Sequence, residues 1–498
     1  MSNYRRRLLL ANQTEENLYL YGNSVQDGTP TPDAPIDIMS VENPTIKVTG
    51  KNLIPFPYYS ITKEVNGVTF TVNEDGTVIV NGTVSSVTQF NLYMGGDLLL
   101  PNVKYTLSGG DGNGSATTYD LRISDSKTTA YTCATNKTVS FSYADTSKIV
   151  IAIMVRSGAV LNNVVFKPML NKGTEALPYE PYEEQFITID KTTPFGKNLF
   201  KTTNYEKGTL NSTTGNMTAN TAVRTYCLTT DYIYLKSGAY VLSNKTGANL
   251  RFICFYNANK EFKSATWTNR VKTFKFTVTE DCYVRIDVER DANVAIDNFD
   301  TFLTEYEFMI NEGMNAFAFE PYIPPITSMR GIGDYKDKIY TKDGKVWFEQ
   351  RSGYCETDAN TTLHKNSTNG NVIQAYTATG FVDDSYSALG VETTKAANNP
   401  GLSTHFVYSH KAYARGQVDV ILCSGTRLWF VSDNFENIDK WNTWIKENKV
   451  SIVYPLKNPI ITEITGPLAE KILAIDKTKN IYFISENGIQ GETEVIEE

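Results

Sequence analysis

The chain has 498 residues, of which 41% are hydrophobic and 20% are charged, and its formal net charge is −8. A chain of this length is expected to form about three domains, and the negative charge argues against a protein that is steered as a whole onto nucleic acid. Aromatic residues make up 12% of the chain. Together with frequent Thr, Val and Ile they favour β structure.

The N-terminal sequence and the cysteines bear on the compartment. Arg5–Arg7 and Leu8–Ala11 resemble the start of a signal peptide, but the apolar run is shorter than the ~7–15 residues of a secretory signal. No segment approaches the ~18 apolar residues of a membrane span, so we expect synthesis in the cytoplasm and no membrane insertion. No two cysteines form a CxxC pair, which predicts buried free thiols rather than a zinc or disulfide scaffold. The cysteines are Cys133, Cys227, Cys254, Cys282, Cys355 and Cys423.

Residues 1–49 lack the pattern of a compact domain. A short apolar patch at Leu18–Tyr21 is followed by a turn-rich run that contains several prolines. Proline fixes φ and donates no backbone hydrogen bond, so the run is expected to be extended or looped. Two interpretations stay open: a linker with an edge strand, or an attachment segment that orders only against a partner.

Two short motifs, GKNL and EPY, each occur twice. They stand at Gly50–Leu53 and Glu180–Tyr182, and again at Gly196–Leu199 and Glu320–Tyr322. The nearly constant spacing indicates a duplicated folding unit. The predicted domains are an N-terminal segment at 1–49, module 1 at 50–182, a linker at 183–195, module 2 at 196–322 and a C-terminal domain at 323–498.

Module 1 has the pattern of an antiparallel β-sandwich. Val68–Val72 and Thr77–Val80 alternate apolar and polar residues around Asp75-Gly76, which is a strong signal for a hairpin. Many short strands without helices between them predict a sandwich. Further predicted strands are Val103–Leu107, Leu121–Ile123, Thr138–Tyr143 and Ile149–Val155.

Module 2 matches module 1 internally as well as at its ends. Leu250–Phe252 corresponds to Leu121–Ile123, and Tyr283–Val288 corresponds to Ile149–Val155. In Tyr283–Val288 the apolar and polar residues alternate, so one face of the strand is expected to pack in the core and the other to meet solvent or ligand. The matching strand of module 1 is apolar on both faces, which suggests that another domain or subunit covers it.

The C-terminal domain is predicted to be β-rich with one or two helices. Lys338–Phe348 has the pattern of a hairpin around Asp343-Gly344, and Ile438, Trp441 and Ile445 recur at helical spacing after a cap at Asp433 or Asn434. A second helix is expected at Pro467. Strands are predicted at Val450–Leu456 and Ile481–Ile484, and the acidic tail from Glu492 is expected to be a solvated end.

The sequence contains little that indicates catalysis. His364, His405 and His410 are its only histidines, and the spacing of the last two puts them on opposite faces of a strand. No metalloprotease, nucleophile-elbow or P-loop motif occurs, so we expect no enzyme, no cofactor and no metal. A glycosidase needs only two carboxylates, so a cell-wall- or polysaccharide-degrading enzyme is kept as an alternative.

Module 2 contains the candidate site. Sugar rings stack on exposed aromatic faces, while arginine and aspartate hold hydroxyl groups. The candidate carbohydrate-binding residues are Arg251, Tyr256, Trp267, Arg285 and Asp287. The alternative is that the two aromatic residues pack in the core or against a neighbouring subunit. For the other aromatic residues, we expect Trp441 in the core, Trp444 at a domain interface, and Tyr182 and Tyr322 pinning the last strand of each module.

Several passages are similar to tail and baseplate proteins of long-tailed phages that infect Gram-positive bacteria. They are Tyr21–Pro30 with the GKNL motif that follows it, the hairpin Phe70–Thr83, the passage Lys167–Tyr182 and the passage Trp441–Leu456. The resemblance implies jelly-roll modules akin to carbohydrate-binding modules, and homo-oligomers, usually trimers, at the tail tip. Module 1 contains no tryptophan, so it is expected to serve as a spacer.

The resemblance leads to a functional expectation. The chain is expected to be a virion protein of the phage tail tip, made in the host cytoplasm, that docks to other tail or baseplate proteins through its N-terminal segment. As a receptor-binding protein it would contact host cell-surface polysaccharide and support adsorption. The alternatives are a structural tail component without ligand, a polysaccharide-degrading enzyme and a bacterial surface adhesin.

Overall fold

The computed structural model describes residues 16–497 except 61–62, 97, 116, 126–129, 190–194, 202–204, 220–226, 246–249, 290–298, 370–371, 379–380, 383–400, 409–418 and 425. The fold is mainly β, as predicted, and most strands pair antiparallel. The chain forms two compact units. One consists of residues 47–186 with 476–482, and its limits lie within a few residues of those predicted for module 1. The other consists of residues 187–475 with the described parts of 1–46 and 483–498.

The elements follow one another in this order. Before and within module 1 they are β1 Glu16–Tyr21, β2 Ser24–Val25, β3 Met39–Glu42, β4 Thr45–Thr49, β5 Lys63–Val65, β6 Val68–Val72, β7 Val78–Thr83, β8 Thr88–Gly95, β9 Tyr105–Ser108, β10 Tyr119–Ser124, β11 Tyr131–Cys133, β12 Thr138–Phe141, β13 Ile149–Val155, β14 Val160–Phe166 and β15 Met169–Lys172. The linker and module 2 contain β16 Glu184–Thr188, β17 Tyr205–Leu210, β18 Met217–Ala219, β19 Cys227–Thr230, β20 Ile233–Leu235, β21 Gly238–Ser243, β22 Leu250–Tyr256, β23 Phe262–Trp267, β24 Thr273–Val278, β25 Cys282–Glu289, α1 Phe299–Tyr306 and β26 Met309–Glu312.

The C-terminal domain continues the series. Its elements are β27 Ser328–Met329, β28 Gly331–Ile332, β29 Tyr335–Lys336, β30 Lys338–Lys342, β31 Lys345–Glu356, β32 His364–Asn369, β33 Val372–Tyr376, β34 Leu402–Ser403, β35 Val407–Tyr408, β36 Val420–Ser424, β37 Arg427–Ser432, α2 Ile438–Glu447, β38 Ser451–Ile464, α3 Gly466–Leu473, β39 Asn480–Ile484 and β40 Glu492–Glu497. The sheets not described below have the orders β2-β3-β27, β16-β4-β39, β28-β29 and β32-β33-β37-β36-β35.

Module 1 surrounds one hydrophobic core with three antiparallel sheets, whose orders are β11-β10-β13-β8, β12-β9-β15 and β14-β7-β6-β5. Phe70, Leu107 and Ile151 come from different sheets and are fully buried in the same cluster. The predicted hairpin is confirmed: β6 pairs with β7, and Gly76 has φ of 80° in the turn between them. A side chain at this φ would strain the turn, which explains the Asp-Gly pattern.

Module 2 repeats two of these three sheets. Its strands are ordered β23-β22-β25-β19 and β24-β21-β26, which correspond to β11-β10-β13-β8 and β12-β9-β15. The third sheet of module 1 has no counterpart in the described part of module 2. The hairpin β17–β18 extends the larger sheet instead, and helix α1, which the sequence did not predict, precedes β26.

The central strands of module 2 differ from the prediction in one respect. A β-bulge between Leu250 and Phe252 turns Phe252 away from the main core, so it does not face the same way as Ile123 of module 1. The polar face of β25 was expected to meet solvent or ligand. Arg285 and Asp287 are instead buried there, because the hairpin β17–β18 packs over that face. The matching face of β13 is also buried, with Ala152 fully so.

An asparagine explains the repeated motifs in module 1. The side-chain nitrogen of Asn52 donates to the carbonyl oxygens of Pro168 (3.1 Å) and Glu180 (3.0 Å). Its side-chain oxygen accepts from the backbone N–H groups of Ile54 (3.1 Å) and Leu170 (3.2 Å). This buried amide therefore joins the first stretch of the module to its last strand and to the EPY motif, and we call it the asparagine clasp.

Module 2 contains the same clasp. The side-chain nitrogen of Asn198 donates to the carbonyl oxygens of Phe308 (3.0 Å) and Glu320 (2.9 Å). Its oxygen accepts from the backbone N–H groups of Phe200 (2.9 Å) and Ile310 (3.2 Å). The repeat of GKNL and EPY therefore has a structural cause, since each copy closes one module.

The tyrosines of the EPY motifs take no part in the hydrogen bonds of the clasp. Tyr182 and Tyr322 are half-buried, and the Tyr182 hydroxyl donates to the exposed Glu184 carboxylate at 2.6 Å. The glutamates of the motifs, Glu180 and Glu320, accept instead from the backbone N–H of the lysine in each GKNL motif. The ends of the modules are therefore held by glutamate and asparagine.

The C-terminal sheet has six strands in the order β34-β38-β31-β30-β1-β40. The N-terminal strand β1 lies between β30 and β40, and its Leu18 and Leu20 are fully buried. The expectation of a linker or a partner-dependent segment is therefore wrong for residues 16–21. The acidic tail is not a free solvated end either, because it forms the edge strand β40.

Trp441 is fully buried at the centre of the C-terminal core, as predicted, and stacks on Phe435 with ring centroids 4.7 Å apart. Trp444 packs in the same core, 5.4 Å from the ring of His405, rather than at a domain interface. The predicted hairpin β30–β31 and the helix at Pro467 are both confirmed.

The cap of helix α2 differs from the predicted one. The side-chain oxygen of Asn437 accepts from the backbone N–H groups of Asp439 (3.1 Å) and Lys440 (3.0 Å), whereas Asp433 and Asn434 lie before the cap. We expect Asn437→Ala to lower the free energy of unfolding of this domain by about 1 kcal/mol. Asp433→Ala is the matched control and should change it by less than about 0.5 kcal/mol in a thermal unfolding measurement. Equal effects of the two substitutions would contradict this capping.

The five cysteines whose side chains the structure describes are free thiols, as predicted. Among the cysteine side chains that the structure describes, four are buried, and Cys355 is partly exposed. Burial raises the pKa of Cys133 to about 12, so this thiol is not a nucleophile at neutral pH. The side chain of Cys423 lies outside the described residues.

Candidate functional site

The residues predicted to bind carbohydrate lie near one another in module 2, but they do not form an open surface. Tyr256 is almost fully buried, and its hydroxyl donates to the carbonyl oxygen of Gly215 at 2.7 Å, in the turn between β17 and β18. Its ring packs edge-on against Tyr232 and Phe262. The alternative that Tyr256 packs in the core is therefore the correct one.

Asp287 is buried and forms an ion pair with the partly exposed Arg251, and this pair holds the same hairpin. Nη1 of Arg251 lies 3.1 Å from Oδ2 of Asp287, and this oxygen also accepts from the Thr209 hydroxyl (2.6 Å) and the Leu210 backbone N–H (3.2 Å). Burial outweighs these contacts and raises the pKa of Asp287 from 3.8 to about 6. The pair therefore serves to fix β17 over the sheet.

The raised pKa of Asp287 predicts a pH dependence of stability. The folded state binds a proton at higher pH than the unfolded state, so this carboxyl group favours folding more as the pH falls from about 7 to 4. We expect the difference in unfolding temperature between the unaltered protein and Asp287→Asn to grow in favour of the unaltered protein over that range. A difference that stays constant between pH 7 and pH 4.5 would contradict the raised pKa.

Arg285 is also buried and is held by hydrogen bonds within module 2. Its Nε donates to the carbonyl oxygen of Thr230 at 2.9 Å and its Nη2 to the Glu206 carboxylate at 2.7 Å, while its guanidinium lies 5.1 Å from the ring centroid of Tyr232. Of the predicted set, only Trp267 is largely exposed, with 53% of its surface accessible. Its ring contacts that of Phe252, with centroids 5.0 Å apart. The five candidate residues therefore do not form the predicted carbohydrate-binding surface.

His364 and His405, the two histidines that the structure describes, are not placed to share a metal ion. His405 is buried beside Thr404, with Nδ1 2.8 Å from the threonine hydroxyl, and burial lowers its pKa. His364 packs against Tyr376, and His410 lies outside the described residues. No group of three or more His, Cys, Asp or Glu side chains within the described ranges is placed to hold a metal ion.

A row of half-buried aromatic rings lies on the C-terminal sheet. Tyr19 stacks on Tyr340 across the sheet, with centroids 5.6 Å apart and planes at 6°, and on Tyr21 at 6.2 Å. Trp347 stands opposite Tyr340 on the next strand. These four half-buried side chains, Tyr21, Tyr19, Tyr340 and Trp347, are called the aromatic row.

Lysines lie over the rings of the row. Lys338 Nζ is 5.0 Å from the Tyr340 centroid, and Lys345 Nζ is 5.4 Å from the Trp347 ring. Each ammonium group is also held by a glutamate: Glu349 lies 3.0 Å from Lys338 and Glu463 lies 3.1 Å from Lys345. The ring faces attract these cations, so each lysine lies between an aromatic ring and a glutamate.

A cleft of about 420 Å³ opens at the end of the row. It is lined by Tyr340, Lys342, Asp343, Lys345, Trp347 and Ile461. This volume falls within the range of small-ligand sites, and the lining combines apolar rings with a few polar groups. The hairpin turn at Asp343-Gly344, both at positive φ, fixes the polar side of the cleft.

Sequence reasoning missed the aromatic row because its members are far apart in the chain. Tyr19 and Tyr21 belonged to an expected linker, and Tyr340 and Trp347 to a hairpin whose strands were predicted correctly. Polar–aromatic alternation at Lys338–Trp347 was the available signal, but nothing local indicates that β1 lies beside β30.

Two further observations are not tied to one site. Among the residues that the structure describes, no helix has the length and apolar character to cross a membrane. Comparisons with protein-family models, with curated proteins and with solved structures found no match.

Proposed function

We propose that this protein is a non-enzymatic binding protein that contacts a polysaccharide through the aromatic row and its cleft. The observation that carries the proposal is the cleft beside Tyr340 and Trp347. The C–H faces of a sugar ring pack against aromatic rings, and the side chains of Lys342, Asp343 and Lys345 are placed to hydrogen-bond its hydroxyl groups.

The sequence resemblance supports a more specific proposal. The protein is a phage tail-tip or baseplate component, a homo-oligomer and by preference a trimer, that contributes to host adsorption. Each cleft would bind weakly, and several copies would supply avidity through effective concentration. Labelling of virions with antibody against this chain tests the location, since absence of label from the tail would contradict it.

A structural tail component without ligand is the second candidate. It is favoured by Ile461, which lines the cleft and is 53% exposed. Exposed aliphatic side chains next to aromatic ones are also typical of a subunit interface. In that case substitutions in the aromatic row change the oligomeric state, and neither the unaltered protein nor the variants bind polysaccharide.

Binding to immobilised wall polysaccharides from a panel of Gram-positive bacteria tests the main proposal. We expect Trp347→Ala in the full chain to weaken binding at least about tenfold, because truncation of a central aromatic contact typically costs more than 1.4 kcal/mol. Trp267→Ala is the matched control, since Trp267 is exposed but lies in module 2. If only Trp267→Ala loses binding, the site lies in module 2, as the sequence predicted, and the proposal of the aromatic row is overturned. Release of reducing ends would favour the enzyme alternative.

A further inference from the structure

Five residues at one register form a line across the C-terminal sheet. Tyr19 stands opposite Glu494 of β40 on one side and opposite Tyr340 of β30 on the other. Tyr340 stands opposite Trp347 of β31, which in turn stands opposite Glu463 of β38. Directly opposed residues of paired strands lie on the same face of a sheet. These five side chains therefore share one face, and we call them the cross-strand line.

The cross-strand line has a defined length. Neighbouring strands of a sheet lie about 4.8 Å apart, so its three aromatic positions extend over about 10 Å and its two glutamate positions stand about 19 Å apart. The ring centroids of Tyr19 and Tyr340, 5.6 Å apart, agree with this spacing. A sugar unit of an extended glycan has a similar length, so a glycan that runs across the strands can place one sugar over each ring.

A carboxylate ends the line on both sides. Oε2 of the exposed Glu494 accepts from the Tyr21 hydroxyl at 3.2 Å, and Oε2 of Glu463 lies 3.1 Å from Nζ of Lys345. An ionised carboxylate has about four acceptor positions, so each glutamate can also accept from hydroxyl groups of a ligand. Such charge-assisted hydrogen bonds are stronger than neutral ones, whereas an anionic group would be repelled. The two ends of the line therefore favour a ligand that presents hydroxyl groups.

The charges on and beside the line balance. The cations and the carboxylates are five of each: Lys336, Lys338, Lys342, Lys345 and Arg351, and Asp343, Glu349, Glu463, Glu492 and Glu494. Strong binding of a polyanion such as a phosphate-bearing polymer depends on an excess of basic side chains. The line has no such excess, so its charge suits a neutral ligand.

We propose that the cross-strand line binds a neutral glycan segment of about three sugar units, which lies across the strands with one sugar over each ring. Hydroxyl groups at the two ends of the segment donate to Glu494 and Glu463. The cleft lined by Tyr340 and Trp347 lies towards the Glu463 end of the line and takes a single sugar. This inference rests on the proposed binding at the aromatic row and adds the charge and the length of the ligand.

The first measurement tests the charge of the ligand. Anion-exchange chromatography divides each wall extract of the panel into a neutral polysaccharide fraction and a phosphate-bearing fraction, and binding of the full chain is measured at about 0.05 and about 0.5 M NaCl. We expect the tighter binding with the neutral fraction and a change of less than about threefold between the two salt concentrations, because salt screens only charged contacts. Equal or tighter binding of the phosphate-bearing fraction, or a larger fall at high salt, would overturn the assignment of a neutral ligand.

The second measurement tests the length of the ligand, with oligosaccharides of one to about five sugar units made by partial hydrolysis of the neutral fraction. Affinity is expected to rise at least about tenfold from one unit to three and to change little beyond four. Tyr19→Ala should weaken binding of the three-unit oligosaccharide about tenfold, and Glu494→Gln about threefold, because a neutral amide accepts more weakly than a carboxylate. Both variants should bind a single sugar as the unaltered protein does.

Two features of the design keep the outcome clear. Glu494 is exposed on an edge strand, so Glu494→Gln serves if Tyr19→Ala does not fold. Tyr59→Ala, which removes an exposed tyrosine of module 1, is the matched control and should change nothing. Equal affinities for one and three units, or a three-unit affinity that neither variant lowers, would disprove the cross-strand line and leave binding at the cleft intact. Absence of binding to every fraction would instead disprove the proposed function, and this inference with it.

Discussion

Deletion of residues 1–21 is expected to unfold the C-terminal sheet. Strand β1 pairs with β30 on one side and β40 on the other, and the backbone N–H of Leu18 donates to the Thr341 hydroxyl at 2.8 Å. Loss of each fully buried leucine alone is worth about 2–5 kcal/mol. Together with the lost backbone ladder, the effect reaches the ~5–15 kcal/mol that stabilises a whole domain.

Circular dichroism melting and limited proteolysis of the full chain and the deletion variant measure this effect. Deletion of residues 1–15 is the matched control, because it leaves every described strand in place. Leu20→Ala gives an intermediate case, with an expected loss of about 3 kcal/mol. A deletion of residues 1–21 that melts and resists protease like the control would show that β1 is dispensable. In that case residues 16–21 would be a linker after all.

The sequence was sufficient where the structure depends on neighbours in the chain. The hairpins β6–β7 and β30–β31 followed from alternation around an Asp-Gly turn, and helix α2 followed from apolar spacing. Duplication could also be predicted, because the asparagine clasp requires the same residues in both modules. Each of these signals lies within one element or recurs as a motif.

The sequence was insufficient where the structure depends on distant pairing. Leu18–Tyr21 is too short to show whether it is an edge strand, a linker or an interior strand, and its neighbour β30 lies about three hundred residues further along the chain. The tyrosines of β1 come to lie beside Tyr340 only because β1 pairs with β30. Its position on the C-terminal sheet could therefore not be predicted from local pattern.

The binding surface predicted in module 2 was wrong for a different reason. The strands of Arg251, Arg285 and Asp287 were correctly placed, and Arg285 and Asp287 do share a face of β25, whereas Trp267 was expected in a loop and lies in strand β23. Period-two alternation assigns residues to faces, but it does not reveal what covers each face. The hairpin β17–β18 covers the polar face of β25 and contacts Asp287, Arg285 and Tyr256. Residues whose chemistry suits sugar binding therefore stabilise the fold instead.

Replacement of the asparagine clasp is the second large effect that we expect. Asn198→Ala removes four hydrogen bonds at once and leaves the backbone N–H groups of Phe200 and Ile310 without their acceptor in a buried place. Buried groups left unpaired cost about 1–3 kcal/mol each, so we expect a loss of about 3–5 kcal/mol for module 2. Asn52→Ala should have the same effect on module 1.

Differential scanning calorimetry of the full chain can assign each loss, because a protein of several domains unfolds in more than one transition. Asn52→Ala and Asn198→Ala should each lower a different transition, and the double variant should lower both additively, since the clasps share no partner. Tyr322→Phe is the control, because the structure gives the tyrosine of the EPY motif no part in the clasp and predicts a change below about 0.5 kcal/mol. A larger loss from Tyr322→Phe than from Asn198→Ala would return the closing role to the tyrosine, and the repeated asparagine would then need another explanation.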